Sequence, residues 1–175
     1  MSEPDSFLRL VRQLQTGGVR FVVHGVSGAN YYAQSAGLVF VTEDRDLFLP
    51  LDPDNLLCAW QACEAGGHEL WCGSEPLGRP LDRFLADKVV ATRALVRAES
   101  PELRVDLSLV MKGFEFDDVW PRRHLFRVEG EEIPVSALSD IVRSEAAVGR
   151  PKDRLFLAAH EDALRQLLGE RPEDG

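Results

Sequence analysis

The sequence predicts an α/β (α+β) fold, in which short strands alternate with helices and further helices close the chain. Three observations predict it. Val19–His24 is a short apolar run rich in β-branched residues, typical of a central strand covered on both faces. Leu103–Val110 alternates apolar and polar residues, which is typical of a strand with two different faces. Other segments carry apolar residues at helical spacing between capping residues and glycines.

The N-terminal half is predicted to contain three strands with helices between them. In chain order, the expected elements are a helix capped by Asp5 or Ser6 and ended by Gly17-Gly18, the strand Val19–His24, a turn at Gly25-Val26-Ser27-Gly28, a short helix at Ala29–Ala36, a strand at Thr42–Leu49, a helix from Asp52-Pro53 to Gly66-Gly67, and a strand at Glu69–Cys72.

The C-terminal half is predicted to contain two hairpins followed by helices. The expected elements are a helix from Leu81 to about Val90, a hairpin of Thr92–Ala98 with Leu103–Val110, a short helical or irregular patch at Phe114–Trp120, a hairpin of His124–Val128 with Glu132–Val135, a helix capped by Ser136 and ended by Gly149, one final helix from Arg150-Pro151, and a frayed tail at 170–175. Thr92–Ala98 can also continue the preceding helix. We favour the hairpin because Glu99-Ser100-Pro101-Glu102 forms a turn between two runs of similar length.

Size and charge restrict the class of protein. The 175 residues fit a single domain, and two full domains would be crowded. A net charge of -9 argues against general duplex DNA binding, although Arg150, Lys152 and Arg154 lie close together. No apolar run approaches the ~20 residues needed to cross a bilayer, and a secretory signal is absent. The expected location is therefore the cytoplasm.

The three cysteines suit a reducing compartment, because three thiols cannot all pair within one chain. With His68, they form the series Cys58, Cys63, His68, Cys72, which could be a zinc site. Ligand pairs of structural zinc sites are usually separated by about two to four residues. Cys58 and Cys63 are five apart on a predicted helix and point in different directions. Buried free thiols are therefore the favoured interpretation.

Asp44-Arg45-Asp46 is the sharpest local feature of the sequence. In a strand, the period of two puts both carboxylates on one face, while Glu43 and Arg45 project to the other. Neighbouring like charges repel unless something neutralises them, and Mg²⁺ prefers carboxylate and phosphate oxygens. The alternative is a solvated pair on an edge strand or in a turn.

Asp106 interrupts the largely apolar run Leu103–Val110, where a carboxylate is costly without a partner. If the sheet brings this strand beside Asp44 and Asp46, the three carboxylates form a cluster for divalent cations. The alternative is an Asp on the solvated face of an edge strand. The glycine turn adds a possible phosphate cradle, because its backbone amides can approach a phosphate and Ser27 supplies a hydroxyl. Most glycine turns are simply turns.

This order of motifs resembles the minimal nucleotidyltransferase superfamily, and more narrowly the abortive-infection (AbiEii-like) toxin branch with its uncharacterised single-domain relatives. The resemblance is carried by the glycine turn, the Thr42-x-Asp44-x-Asp46 strand and the later Asp106. Two C-terminal segments extend it, Ile133–Leu138 and Arg143–Asp153, so that it covers about residues 18–168.

The resemblance implies a mixed β-sheet flanked by helices, with C-terminal helices. It also implies transfer of a nucleoside monophosphate from an NTP to an acceptor hydroxyl on an RNA end such as tRNA, a protein or a small molecule, with Mg²⁺ or Mn²⁺ as cofactor. An antitoxin would be a partner in the toxin branch. The residue roles that the resemblance implies are catalytic metal ligands at Asp44, Asp46 and Asp106, a triphosphate cradle at Gly25 and Ser27, and phosphate partners at Arg150 and Lys152.

Two positions depart from the family pattern. Val26 stands where a second Gly or Ser is common, and Glu145 stands where a lysine is usual. Loss of that cation supports a second hypothesis, a degenerate member that binds nucleotide or a partner protein without turnover. His24 lies at the mouth of the turn, and we expect it to be a hydrogen-bonded structural histidine.

Overall fold

In a computed structural model, the chain folds around one sheet of eight strands; the structure describes residues 5–38, 40 and 44–169. The strands are β1 Val22–His24, β2 Arg45–Phe48, β3 Glu69–Cys72, β4 Glu75–Pro76, β5 Val96–Glu99, β6 Arg104–Ser108, β7 His124–Val128 and β8 Glu131–Val135. The helices are α1 Ser6–Thr16, α2 Gly25–Ser35, α3 Pro53–Ala65, α4 Arg83–Thr92, α5 Phe116–Val119, α6 Leu138–Val148, α7 Pro151–Ala159 and α8 Glu161–Leu167, with a 3₁₀ turn at Trp120–Arg122.

The sheet is mixed, in the order β4-β3-β5-β6-β2-β1-β8-β7. The pairs β2–β6 and β1–β8 are parallel, whereas the remaining neighbours are antiparallel. The predicted mixed α/β fold is therefore confirmed. Both predicted hairpins form, but the first strand begins at Val96 and not at Thr92, because α4 continues to Thr92.

The two faces of the central strands bury different clusters. Val23, Leu47 and Leu107 face the main core, which α1 and α3 cover. Val22 and Phe48 face a smaller cluster that includes Phe116 of α5. Alternation along each strand produces this division, and it confirms that β1 is covered on both sides. The polar positions of the second face therefore lie beside the smaller cluster.

Helix starts follow the predicted capping chemistry in α1 and α3. The Asp5 carboxylate accepts a hydrogen bond from the Phe7 amide, so Asp5 rather than Ser6 caps α1. Asp52 accepts from the amides of the first turn of α3, and proline occupies the first helical position. No helix within the described residues is long and apolar enough to cross a bilayer.

Several predicted boundaries were wrong at the ends of elements. The segment 25–28 is the first turn of α2 and not a separate turn, because Gly25 adopts a φ of +66° that joins β1 directly to the helix. Ser136 does not cap α6: Ala137 is the N-cap, and the Ser136 hydroxyl has no hydrogen-bond partner among the described residues.

The predicted final helix is two helices. His160 leaves the helical region, with φ of -119° and ψ of 18°, and its ring packs against Phe40 and Phe156. The chain therefore breaks between α7 and α8. The predicted strand 42–49 begins at Arg45 in the structure, so that Asp44 directly precedes β2. Thr42, Glu43 and the tail 170–175 lie outside the described residues.

Candidate functional site

A row of polar side chains crosses the second face of the sheet. In the pairing of neighbouring strands, His24 lies opposite Asp46, and Asp46 lies opposite Asp106. Asp106 in turn lies opposite Arg97. Residues paired across adjacent strands place their side chains on the same face. The sheet therefore aligns His24, Asp46, Asp106 and Arg97 side by side.

A cavity of about 260 Å³ opens over this row. Its lining consists of Val26 of α2, the carboxylates and cations of several elements, and one aromatic ring: Val26, Asp44, Asp46, Asp106, Glu145, Arg150, Lys152, Asp153 and Phe156. The structure thus gathers the three carboxylates that the sequence singled out, although they are 62 residues apart at the extremes. Arg150 and Lys152 reach the same cavity from the start of α7.

Gly25 lies next to the carboxylate of Asp46. A Cβ at Gly25 would stand 2.6 Å from Oδ2 of Asp46, closer than any side chain tolerates. The absence of a side chain at Gly25 therefore provides the space in which the Asp46 carboxylate sits. The predicted role of Gly25 was to let a phosphate approach, and the structure adds this second reason for glycine.

Ser27 is fully buried, and its hydroxyl is used inside the protein. It donates a hydrogen bond to the His24 carbonyl at 2.9 Å and accepts one from the Asp46 amide at 3.1 Å. The expectation that this hydroxyl faces a triphosphate is corrected, because the hydroxyl ties the end of β1 to the start of β2. Ser27 positions the backbone of Asp46.

Asp46 carries the strongest electrostatic signature of the three carboxylates. Burial, followed by the charges of Asp106 and Asp44, raises its pKa to about 6, while Lys152 and Arg150 oppose the increase. An ionised Asp46 is thus held beside two like charges in a poorly solvated position. A divalent cation would relieve this repulsion, and carboxylate oxygens are ligands that Mg²⁺ and Mn²⁺ accept.

Two arginines outside the predicted motifs neutralise part of this charge. Arg97 Nε donates to Asp106 Oδ1 at 2.8 Å, and Arg104 Nη1 lies 4.0 Å from Asp44 Oδ1. Glu99 lies between the two guanidinium groups, 3.8 Å from Arg97 and 3.7 Å from Arg104. A continuous ionic chain therefore runs from one predicted metal ligand to another.

The arginine contacts affect how the carboxylates could hold a cation. Within the described ranges, no three His, Cys, Asp or Glu side chains are close enough together to form a ready-made metal site. This applies to the carboxylate cluster and to the series Cys58, Cys63, His68, Cys72, whose thiols are free. The donor chemistry of Asp44, Asp46 and Asp106 suits a hard cation.

A second ionic cluster forms the opposite wall of the cavity. The Arg150 guanidinium binds both oxygens of the buried Asp153, at 2.8 and 3.3 Å. Burial, a hydrogen bond to Asp153 and the charges of Asp153 and Asp46 raise the pKa of Glu145 to about 8. Burial alone would raise the pKa of Asp153, but hydrogen bonds from Arg150 and Glu145 lower it. Glu145 therefore ionises less readily than a solvated glutamate, beside the paired charges of Arg150 and Asp153.

His24 lies at the end of the polar row opposite to Arg97. Its Nε2 atom does not make the hydrogen bond that we expected. That atom is buried and has no partner in the part of the chain that the structure describes. Burial lowers the pKa of His24 to about 4, and its ring packs edge-on against Phe48 at 5.9 Å. His24 is thus a neutral packing residue beside Asp46.

Comparison with known proteins adds information about the fold. No family model and no curated protein match this sequence. The solution structure of the antibiotic-resistance factor ANT(2'')-Ia, an aminoglycoside nucleotidyltransferase, superposes with a TM-score of 0.52 at 12% identity, covering 94% of this chain and 88% of that chain. This chain and that structure share one fold. A crystal structure of ANT(2'')-Ia in complex with adenylyl-2''-tobramycin agrees, with a TM-score of 0.50, 12% identity, and coverage of 93% and 92%.

The shared fold agrees with the part of the resemblance that concerns architecture. The narrower resemblance to the AbiEii-like toxin branch, together with its antitoxin partner, stays a prediction. The roles of Asp44, Asp46 and Asp106 also stay predictions. The three side chains line one cavity.

Proposed function

We propose that this chain is a nucleotidyltransferase that moves a nucleoside monophosphate from an NTP to an acceptor hydroxyl, using Mg²⁺ or Mn²⁺. The observation that carries the proposal is the common cavity of Asp44, Asp46 and Asp106. On a nucleotidyltransferase fold, this cavity lies at the N-terminus of α2, next to the cations of α7. The carboxylates supply ligands for a cation and a proton acceptor. The start of α2 and the cations of α7 supply donors for phosphate.

Asp44, Asp46 and Asp106 would hold the cation, Asp106 through the oxygen that Arg97 does not bind. Bound there, a divalent ion neutralises phosphate charge and stabilises the leaving pyrophosphate. The burial and the carboxylate repulsion that raise the pKa of Asp46 support this assignment. Ser27 and Gly25 contribute by fixing the position of Asp46 rather than by contact with the cation.

The triphosphate would lie against the first turn of α2 and the start of α7. Gly25 and Val26 belong to the first turn of α2, Val26 lines the cavity, and helix N-termini favour anions. Arg150 and Lys152 add positive charge from the other wall. The acceptor oxygen then attacks the α-phosphorus, the bond to the bridging oxygen of the pyrophosphate breaks, and a carboxylate of the cluster accepts the hydroxyl proton.

Three classes of acceptor molecule are compatible with the proposal. The fold relative ANT(2'')-Ia is described with adenylyl-2''-tobramycin, which makes the hydroxyl of a small polycationic molecule one class to test. An RNA end such as tRNA and a protein hydroxyl are the other classes. The carboxylates that line the cavity, Asp44, Asp46 and Asp106, suit a cationic acceptor better than an anionic one.

Transfer of an α-phosphate label tests the proposal. The protein is incubated with each α-³²P-labelled NTP, Mg²⁺ or Mn²⁺, and separately with tRNA, aminoglycosides or lysate protein. We expect label on one acceptor class with the parent protein, and none with Asp46→Asn. Asp87→Asn is the matched control, because Asp87 pairs with Arg83 on an exposed face of α4. Labelling by Asp46→Asn at the parental rate would contradict the proposal.

A second candidate function is nucleotide or partner binding without turnover. The placement of Glu145 in the cavity wall favours it, since the family usually has a lysine there and Glu145 brings no positive charge. Calorimetry with a non-hydrolysable NTP separates the candidates: binding without label transfer supports this one. In that case, Glu145→Lys is expected to tighten nucleotide binding, whereas Glu161→Lys on the exposed side of α8 is not.

A further inference from the structure

The line of cross-strand neighbours continues beyond the polar row to the edge of the sheet. Trp71 of β3 lies directly across from Arg97, and Pro76 of β4 lies across from Trp71. Residues paired in this way share a face, so Trp71 lies on the face that carries the carboxylates. Neighbouring strands are about 4.8 Å apart, which places Trp71 roughly 10 Å from Asp106 along this line. A further surface therefore adjoins the candidate cavity.

Trp71 contributes carbon surface to this face of the sheet. The residue is half-buried, and its Nε1 atom is buried without a hydrogen-bond partner among the described residues. The accessible part of the indole is therefore carbon. Such a surface binds a ligand by packing against a ring or by holding a cation over the indole, and not by hydrogen bonds from the indole nitrogen. The neighbouring Arg97 guanidinium is bound to Asp106, its Nε donating at 2.8 Å.

The charges beside Trp71 favour a cation on the ligand. Glu69 lies two residues before Trp71 and directly across from Glu99, and the period of two puts all three on one face. Like charges directly opposite each other destabilise a sheet. Glu99 is 3.8 Å from Arg97 and 3.7 Å from Arg104, whereas Glu69 is exposed to solvent. An ammonium group near the indole would relieve the repulsion between the two glutamates, and a phosphate would add to it.

The geometry of the proposed reaction directs the acceptor to this side of the carboxylates. The proposed triphosphate position is at the starts of α2 and α7, and α2 packs on β1 and β2. In phosphoryl transfer, the attacking and leaving oxygens lie roughly in line on opposite sides of the phosphorus. The acceptor therefore approaches from the side away from the triphosphate. Along the row, that side is β5 and β3, where Trp71 lies, while His24 occupies the other end.

We propose that Trp71 contacts the acceptor of the transfer reaction, and that this acceptor is a small molecule with several rings and at least one amine. Its hydroxyl lies beside Asp106, and a second ring with an ammonium group packs on the indole about 10 Å away. Glu69 and Glu99 balance the positive charge. The inference rests on the proposed function for the position of the triphosphate, and it selects a cationic small molecule over RNA or a protein.

Binding of neomycin, a polycationic molecule of several hydroxylated rings, tests the inference without turnover. Neomycin is titrated into the parent protein and followed by tryptophan fluorescence and by calorimetry. We expect a saturable change in emission that is lost in Trp71→Phe and kept in Trp120→Phe. Trp120 is the matched control, because it is also half-buried but stacks on Phe116 of α5.

Trp71→Ala is expected to weaken neomycin binding about tenfold, the size of a partly shielded contact between a cation and an indole. Leu125→Ala is the control, because Leu125 is a large exposed side chain on β7, at the opposite edge of the sheet. Equal affinity in the parent and in a folded Trp71→Ala, judged by its thermal transition, overturns the inference. An emission change that survives in Trp71→Phe also overturns it, as does absence of neomycin binding to the parent at millimolar concentration.

The label-transfer assay keeps this inference separate from the proposed function. With neomycin as acceptor, Trp71→Ala is expected to raise KM for neomycin about tenfold and to leave KM for the NTP unchanged. Labelling of neomycin with an unchanged KM in Trp71→Ala would overturn the role of Trp71 and leave the enzyme intact. Label on tRNA or protein, and none on neomycin, would overturn the acceptor class. Neomycin binding at Trp71 without label on any acceptor would support the amine site and contradict the transferase.

Discussion

Gly25 and Asp46 are in contact across the junction of β1 and β2, and the carboxylate occupies the space that a side chain at Gly25 would fill. A Cβ there would stand 2.6 Å from Oδ2 and 3.3 Å from Cγ of Asp46. Gly25 also has a φ of +66°, which L residues with side chains rarely adopt. The same glycine thus permits both the entry into α2 and the position of the carboxylate.

Gly25→Ala is therefore expected to cost more than backbone strain. Strain at positive φ contributes roughly 1–2 kcal/mol, and displacement of Asp46 adds a loss of cation binding. We expect Mn²⁺ affinity to fall at least about tenfold and label transfer to vanish, by the conversion of about 1.4 kcal/mol per decade. Titration of Mn²⁺ and thermal unfolding measure the two effects.

Gly18→Ala is the matched control for this substitution. Gly18 has a φ of +71°, and a Cβ added there would meet no atom within 4 Å, so it shares the strain and lacks the contact. It is expected to lower the thermal transition by a similar amount while Mn²⁺ affinity stays unchanged. Equal loss of Mn²⁺ affinity in both variants would mean that strain, and not contact with Asp46, governs the site.

Ser27→Ala tests the hydroxyl that joins the two strands. The variant loses the hydrogen bonds to the His24 carbonyl and from the Asp46 amide in a fully buried place. A destabilisation of about 1–3 kcal/mol is expected, since both backbone groups lose their partner. Chemical denaturation of the cation-free protein measures it.

Ser136→Ala provides the contrast to Ser27→Ala. Ser136 is equally buried, but its hydroxyl has no partner within residues 5–38, 40 and 44–169. Removing an unsatisfied hydroxyl is expected to leave stability unchanged or slightly higher. If Ser136→Ala proved as destabilising as Ser27→Ala, the two hydrogen bonds of Ser27 would not explain its effect.

Lys152→Gln tests the phosphate side of the cavity. Lys152 is exposed at the start of α7 and contributes one positive charge to the cavity wall. Its loss is expected to raise KM for the NTP about tenfold with little change in kcat, because an interaction of about 1.4 kcal/mol corresponds to one decade. Lys112→Gln, on an exposed loop in a different cavity, is expected to leave KM unchanged. A fall in kcat with constant KM would place Lys152 at the reacting atoms instead.

The sequence predicted most of the helices and strands, but it did not predict the order of the strands in the sheet. Local patterns were enough for α3, with its Asp52-Pro53 start, and for the two hairpins, whose turns join strands of similar length. The parallel contact of β2 with β6 joins segments about 60 residues apart, and no local pattern encodes it. The resemblance to nucleotidyltransferases supplied that contact, and with it the meeting of Asp46 with Asp106.

The sequence predicted those site residues whose type is unusual in their local pattern. Asp46 and Asp106 are acidic residues next to apolar residues of predicted strands, so their pattern alone drew attention. Arg97 was also within reach, since a two-residue turn at Pro101-Glu102 sets the register that puts it across from Asp106. The contact between Glu145 and Asp153 could not be predicted from the sequence, because it depends on how α6 and α7 pack together.

Asp46→Asn is expected to stabilise the cation-free protein near neutral pH. Burial and the charges of Asp106 and Asp44 raise the pKa of Asp46 from 3.8 to about 6 in the folded state. The folded protein therefore holds this proton more tightly than the unfolded chain, and that stabilisation is lost as pH rises through about 6. Above pH 6 the ionised carboxylate costs the fold free energy, roughly 3 kcal/mol for a shift of this size.

Denaturant unfolding at pH 4.5 and pH 7.5 separates this effect from packing. At pH 4.5, Asp46 is mainly protonated and Asn matches it in size and polarity, so the two proteins are expected to be similarly stable. At pH 7.5, Asp46→Asn is expected to be more stable than the parent, whereas Asp87→Asn, at an exposed ion pair with Arg83, is not. Mn²⁺ should reverse the order at pH 7.5, because it can stabilise only the chain that keeps the carboxylate. A parent protein that gains stability from pH 4.5 to 7.5 relative to Asp46→Asn, without cation, would show that the charge of Asp46 is already compensated inside the fold.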